Sequence, residues 1–164
     1  MSPDATILVV DDEEYVRESL ASLLGRRGFT VRTASSVDEA LAEHGRDGVD
    51  AVVTDVRMPG RDGLELLDEL VRTEPDLPVI VLTAHGSVSS AVEAMRAGAT
   101  HYVQKPADPE ELVLALRRAL RETGRRRELE YLRAGGEGAE PRPPLGVSPA
   151  WRRVMETAEL AAPS

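Results

Sequence analysis

Short apolar runs alternate along this chain with segments whose apolar residues recur every three or four positions. Thr6 to Val10 (TILVV), Thr30 to Ala34 (TVRTA), Val49 to Asp55, Pro78 to Thr83 (PVIVLT) and His101 to Gln104 (HYVQ) have the length and composition of strands, and most are apolar on consecutive residues. An unbroken apolar run of that length fits a strand covered on both faces. Between the strands, Tyr15, Val16, Leu20, Leu23 and Leu24 predict a first helix, with Gly28 just past its end. Ser36 followed by Glu39 has the spacing of a capping box and opens a second helix, through Ala40, Leu41 and Ala42 to about Gly45. Leu64, Leu66, Leu67, Leu70 and Val71 make a third, which must stop before Pro75. Ser87 caps a fourth, whose apolar stripe is Val88, Ala91, Val92 and Met95, closed by Gly98. Asp108 and Pro109 stand at the N-cap and first position of a fifth, which runs through Leu112, Val113, Leu116, Ala119 and Leu120.

Five strands alternating with five helices predict an α/β domain with a parallel sheet covered on both faces by right-handed crossovers. The fifth helical pattern does not stop at the edge of that domain but continues as TGRRRELEYLR to about Arg133, with Leu129, Tyr131 and Leu132 its remaining large apolar residues. Such an extension reads as a projecting connector or part of a dimeric coil. Gly135 to Pro144 (GGEGAEPRPP) has linker composition, and LGVSPAWRRVMETAELAAPS then reads as the opening of a further domain. The expected division is residues 1–122 for the main domain, 123–144 for connector and linker, and 145–164 for the terminal stub.

Composition narrows the function classes. The chain has 164 residues, enough for one ordinary core, and no cysteine, which excludes disulfides, thiolate metal sites and cysteine nucleophiles. The N-terminus is short and acidic and no apolar run approaches the roughly 20 residues a membrane span needs, so a cytoplasmic location is expected. Residues 1–108 carry 10 basic and 20 acidic groups, net −10, against 10 basic and 9 acidic in the remainder. The main domain therefore offers no basic face for nucleic acid. Of the 20 basic residues 19 are arginine, so the single lysine, Lys105, marks a position that needs an ammonium.

The candidate chemistry lies at the carboxyl ends of the strands, where open α/β sheets bind their ligands. Strand 1 ends at Asp11 and Asp12, strand 3 at Asp55, strand 4 at Thr83 and strand 5 at Lys105. Taken singly, an aspartate closes many turns and a threonine caps many helices. With a spatial order 2-1-3-4-5, Asp12 and Asp55 end adjacent strands about 4.8 Å apart, a gap that suits one small ion. Mg2+ takes oxygen ligands in octahedral geometry and fits two carboxylates and a backbone carbonyl. Thr83 then lies beside Asp55, and the flexible Lys105 stem reaches back from about 10 Å away. Metal, hydroxyl and ammonium together make a pocket for a phosphoryl group carried on a carboxylate, a transfer that needs chiefly positioning and charge neutralisation.

The motifs VVDDE after strand 1, TDVRMPGRDG around strand 3, LTA at the end of strand 4 and YVQKP at the end of strand 5 resemble the receiver domain of two-component response regulators. The likeness covers about residues 5–122 and implies a flavodoxin-like (CheY-like) doubly wound sheet, order 2-1-3-4-5. It implies Asp55 as phosphoacceptor, Asp11, Asp12, Asp55 and the Arg57 carbonyl as Mg2+ ligands, Thr83 and Lys105 as phosphoryl-binding groups, and Thr83 and Tyr102 as the switch pair. It also implies a cis bond between Lys105 and Pro106. Ala107 departs from the family pattern, in which a large apolar residue commonly follows the Lys-Pro pair, and His101 replaces a frequent acidic residue.

The tail resembles the segment that opens the AAA+ ATPase domain of NtrC-type, sigma-54-dependent activators, although no G-x-x-x-x-G-K-[ST] loop occurs. These likenesses imply a bacterial, cytoplasmic phosphorelay switch rather than an enzyme. Its partners would be a sensor histidine kinase and a second copy through helix 4, strand 5, helix 5 and the connector. Sigma-54 RNA polymerase and DNA would be reached through domains beyond this sequence. The rival from another class is a Mg2+-dependent phosphatase with an aspartyl-phosphate intermediate. That reading places the nucleophile after strand 1 with a general-acid Asp two residues on, whereas this chain has Asp11 and Asp12 adjacent. A flavodoxin-like binding module needs a Gly-, Ser- and Thr-rich loop after strand 1, where Glu13 and Glu14 stand instead.

Overall fold

The computed structural model describes residues 5–84 and 88–134. The expected His85–Gly86 loop, the Ser87 cap, the linker and the terminal stub lie outside the described residues. Strands β1 (Thr6–Val10), β2 (Thr30–Ala34), β3 (Ala51–Asp55), β4 (Val79–Thr83) and β5 (His101–Gln104) alternate with helices α1 (Glu14–Arg26), α2 (Val37–Asp47), α3 (Gly63–Thr73), α4 (Val88–Arg96) and α5 (Pro109–Arg133). All strand pairs are parallel, as the pattern predicts, and the order is β2-β1-β3-β4-β5, the one that the resemblance implies.

Every residue of β1, β3 and β4 is buried, because helices cover both faces of the central strands. Alternation splits their side chains between two cores. Leu8, Val10, Val52, Val79 and Val81 pack with Leu66, Leu67 and Leu70 of α3, whereas Ile7, Val9, Val53, Ile80 and Leu82 pack with Leu24, Leu112 and Leu116 of α1 and α5. Edge strands β2 and β5 keep residues in solvent, and their sequences are correspondingly mixed.

Local signals differ from expectation at several points. Helix α2 runs past Gly45 and closes at Gly48, whose φ of 63° suits glycine. Its N-terminus is capped as expected by Ser36, which accepts from the Glu39 amide at 3.1 Å. The reciprocal arm shifts by one residue: the Glu39 carboxylate accepts from the Ser35 amide (3.0 Å) and hydroxyl (2.6 Å) instead of the Ser36 amide. At α3, Asp62 caps by accepting from the Glu65 amide at 2.9 Å. Asp108 accepts from the Glu110 amide at the start of α5, with Pro109 in the first turn as predicted.

The largest correction concerns α4. Of the expected stripe, Val88 (69% exposed), Val92 (42%) and Met95 (43%) face out, and the helix meets the sheet through Ala91 and Ala94. Small residues let the helix lie close to β4 and β5, and the large apolar ones are left on the outer surface. Tyr15 likewise stands in solvent although it belongs to the apolar spacing of α1. Accordingly, Val92→Gln should change stability by less than about 0.5 kcal/mol, whereas Ala94→Leu should cost about 1 to 3 kcal/mol by overpacking. Urea unfolding of the two variants reads both; a larger loss at position 92 would contradict this orientation.

Candidate functional site

The carboxyl edge of the sheet carries a compact cluster of charge. The β1–β3 register pairs Val10 with Thr54, so Asp11 comes level with Asp55. The sequence-based expectation that Asp12 is the neighbour of Asp55 is thus displaced by one residue. Asp11 is fully buried, Asp55 nearly so, and Asp12 stands at the mouth in solvent. Oxygens of all three carboxylates lie within 4.8 Å of one another.

Lys105 closes the cluster from the other side. Its Nζ is 2.9 Å from Asp11 Oδ2 and 3.1 Å from Asp55 Oδ2, so one ammonium bridges the two buried aspartates. The bond to Pro106 is cis, and the Lys105 amide donates to the Thr83 carbonyl at 2.7 Å, fixing where the side chain departs. Glu13 donates its amide to Asp11 Oδ1 at 2.9 Å, and the Arg57 amide lies 3.4 Å from Asp55 Oδ1. Thr83 is fully buried, one residue beyond the Asp55–Leu82 pair, and its hydroxyl has no hydrogen-bond partner among the described residues. A buried hydroxyl left unbonded is costly, and a ligand oxygen would satisfy it.

The electrostatics follow from this packing. Burial pushes the Asp55 carboxyl above its ordinary value; hydrogen bonding and charge from Lys105 pull it down, the Asp11 charge pushes it up again, and the Arg57 amide helps the anion. Burial alone would lower the Lys105 ammonium, but hydrogen bonds to Asp11 and Asp55 and their charges outweigh it and hold the group above its usual range. The donor set is all oxygen, paired at one end of two adjacent strands, which suits a hard divalent cation.

Gly63, at the first turn of α3, is what lets the loop after β3 close. Its amide donates to the Val56 carbonyl at 2.8 Å, and a Cβ added there would lie 2.0 Å from the Asp55 carbonyl oxygen. Its presence in the loop was visible in the sequence, but this close approach was not. Tyr102 points outward from β5, 37% exposed, with its ring stacked on His101 at 5.8 Å between centroids. Ala107 is partly buried against the α1–α5 core and lines a cleft of about 680 Å3 with Val16, Leu20, Lys105 and Pro109.

Sheet order, the aspartate cluster and the lysine just after β5 together define a receiver fold, and residues 7–117 match the family model of the response regulator receiver domain. The chain belongs to that family. It is 36% identical over 96% of its length to the C4-dicarboxylate transport transcriptional regulatory protein DctD of Rhizobium meliloti. It is 43% identical over 93% of its length to the response regulator MprA of Mycobacterium ulcerans. The crystal structure of NtrX from Brucella abortus in complex with ADP superposes with a TM-score of 0.76 at 36% identity, covering 98% of this chain and 35% of that one. The chain spans 34% of DctD and 64% of MprA. No helix among the described residues is long and apolar enough to cross a membrane. Placement of the candidate nucleophile on β3 rather than β1 also departs from the arrangement expected of the phosphatase alternative.

Two outcomes are expected. Because the folded-state value of Asp55 is raised, its ionisation costs stability, and that cost appears as pH climbs from about 4, the ordinary carboxylate value, through the raised one. In EDTA, wild type should therefore lose stability relative to Asp55→Asn over that interval; parallel urea curves across it would contradict the burial argument. Gly63→Ala should cost about 3 kcal/mol or more, since backbone rather than a flexible side chain must give way, and calorimetry would measure the loss.

Proposed function

We propose that Asp55 of this chain accepts a phosphoryl group from a phosphohistidine of a sensor histidine kinase, and that the modified domain acts as a switch rather than as an enzyme turning over a separate substrate. The observation that carries this reading is the Lys105 ammonium set between Asp11 and Asp55 beside the unbonded Thr83 hydroxyl. An Asp55 carboxylate oxygen attacks phosphorus in line, the phosphorus–nitrogen bond breaks, and its electron pair returns to the imidazole of the donor. Asp11, Asp12 and Asp55, with the Arg57 carbonyl, would hold Mg2+, which supplies charge neutralisation for the transferring group. Lys105 pairs with one phosphoryl oxygen and Thr83 donates its hydroxyl to another, gaining the partner it lacks. As Thr83 moves toward the phosphoryl group, Tyr102 turns in from its exposed position to fill the vacated space.

The same reading assigns residues 1–122 to the receiver, 123–144 to a connector and linker, and 145–164 to the start of an AAA+ domain. Its support is the similarity to DctD and to NtrX, which runs over 96% of this chain in the curated sequences, together with the composition of the tail. The whole protein is then an NtrC-type regulator of transcription in the bacterial cytoplasm, acting with sigma-54 RNA polymerase on DNA through its other domains. A homodimer through α4, β5, α5 and the connector is favoured by the outward Val88, Val92, Met95 and Leu114 and by Leu129 and Leu132 on the extension. Incubation with acetyl phosphate and Mg2+ should add one phosphoryl group by intact mass. Asp55→Asn and excess chelator should each abolish it. Undiminished labelling of Asp55→Asn would refute the assignment.

A further inference from the structure

The extension of α5 is fastened to the body by polar groups. Inward positions occupied by Leu112, Leu116 and Ala119 earlier in the helix pass to Thr123 and then to Arg127. Thr123, only 5% exposed, donates its hydroxyl to the Asp76 carbonyl at 3.5 Å. Arg126 Nη1 lies 3.2 Å from Asp76 Oδ1. Arg127 turns inward, with its Nε buried and unbonded among the described residues. Burial pushes its guanidinium below the ordinary arginine value, opposed by the charges of Asp76, Asp50 and Glu74.

Those acids gather at the amino end of the sheet, opposite the Asp55 pocket. Asp50, just before β3, accepts from the Thr6 amide at 2.7 Å. Glu74, at the C-cap of α3, is 2.7 Å from His44 Nε2 at the end of α2. Glu74 Oε2 and His44 Nδ1 are also buried and unbonded among the described residues. The His44–Glu74 pair, the Thr6–Asp50 bond and the contacts of α5 with Asp76 thus all lie at this end of the sheet. Helix α3 spans the domain between it and the Gly63 contact on the Asp55 carbonyl.

An apolar stripe continued past Leu120 would make the extension part of the core. A polar attachment behaves differently: exposed pairs of this kind contribute little, and a half-buried arginine depends on the negative charge around it. We propose that Thr123 and Arg126, held on Asp76, and the inward Arg127 beside them form a releasable latch that sets the direction in which α5 leaves the receiver. With the latch closed, the end of α5 points one way relative to the sheet; with it open, the helix beyond Ala119 samples many directions while the sheet stays intact. This device is independent of the phosphoacceptor reading, since it operates in the unmodified chain.

The chain lacks cysteine, so Arg72→Cys and Glu130→Cys place two spin labels on α3 and on the extension without competition. In the full chain, mixed with an excess of unlabelled chain so that only the pair within one protomer is read, pulsed electron resonance should give one narrow distance distribution. Arg127→Gln should broaden it at least about twofold and speed amide exchange of residues 124–133 about tenfold or more, with strand amides unchanged. Asp76→Asn, which changes a partly exposed partner, should act in the same direction and covers the case in which Arg127→Gln fails to fold. An unchanged distribution in the folded variants overturns the latch. Exchange that accelerates equally in β1, β3 and β4 also overturns it, by showing that Arg127 serves global stability alone.

Discussion

Two aspartates on adjacent central strands are forced together by the register of the sheet, and the Lys105 ammonium between them offsets their repulsion. Neither carboxylate can retreat: Asp11 is fully buried, and its second oxygen is already engaged by the Glu13 amide. The same ammonium cannot reach them without the turn after β5, where the Lys105 amide is tied to β4 through Thr83. The ends of β1, β3 and β4 and the β5–α5 turn are thereby tied together by one electrostatic arrangement. A group bringing further negative charge to Asp55 would shift that balance, and elements that do not touch the group would feel it.

Much of the fold was legible because a sheet covered on both faces needs apolar residues at consecutive positions, and TILVV, VDAVV and PVIVLT supply them. The site was legible for a related reason: each apolar run ends abruptly in one polar residue of distinct chemistry, and parallel strands bring those ends to a common edge. What the pattern could not resolve was orientation at single-residue precision. Asp11 and Asp12 are adjacent and chemically alike, so only register decides that Asp11 is the buried neighbour of Asp55. In α4, Val88, Ala91, Val92 and Met95 share a helical face by spacing, yet close packing selects the alanines and turns the larger residues outward. The Asp62 cap has a signal in the sequence, Glu65 three residues on, set among loop residues that mask it. The polar attachment of α5 has none, because Asp76 is distant in sequence from Thr123 and Arg126, and each resembles an ordinary surface residue.

The two ends of the domain are built on opposite principles. At the carboxyl edge, carboxylates are crowded around one ammonium in a pocket open to a ligand. At the amino edge, arginines of the α5 extension are drawn in among acids contributed by loops. Helix α3 connects them, packed by Leu66, Leu67 and Leu70 into the core and pressed at Gly63 against the very carbonyl that follows the Asp55 side chain.

Helix α4 rests on β4 and β5 through methyl groups. A surface of alanines has shallow ridges, so the helix has little to unlock before it slides or rotates, and a small displacement opens no large void behind it. Helix α4 is in this sense a low-friction bearing, laid over the strand that ends in Thr83 and over β5. A helix seated that way can shift over its strands with little loss of packing, and any such shift would carry the outward Val88, Val92 and Met95 with it.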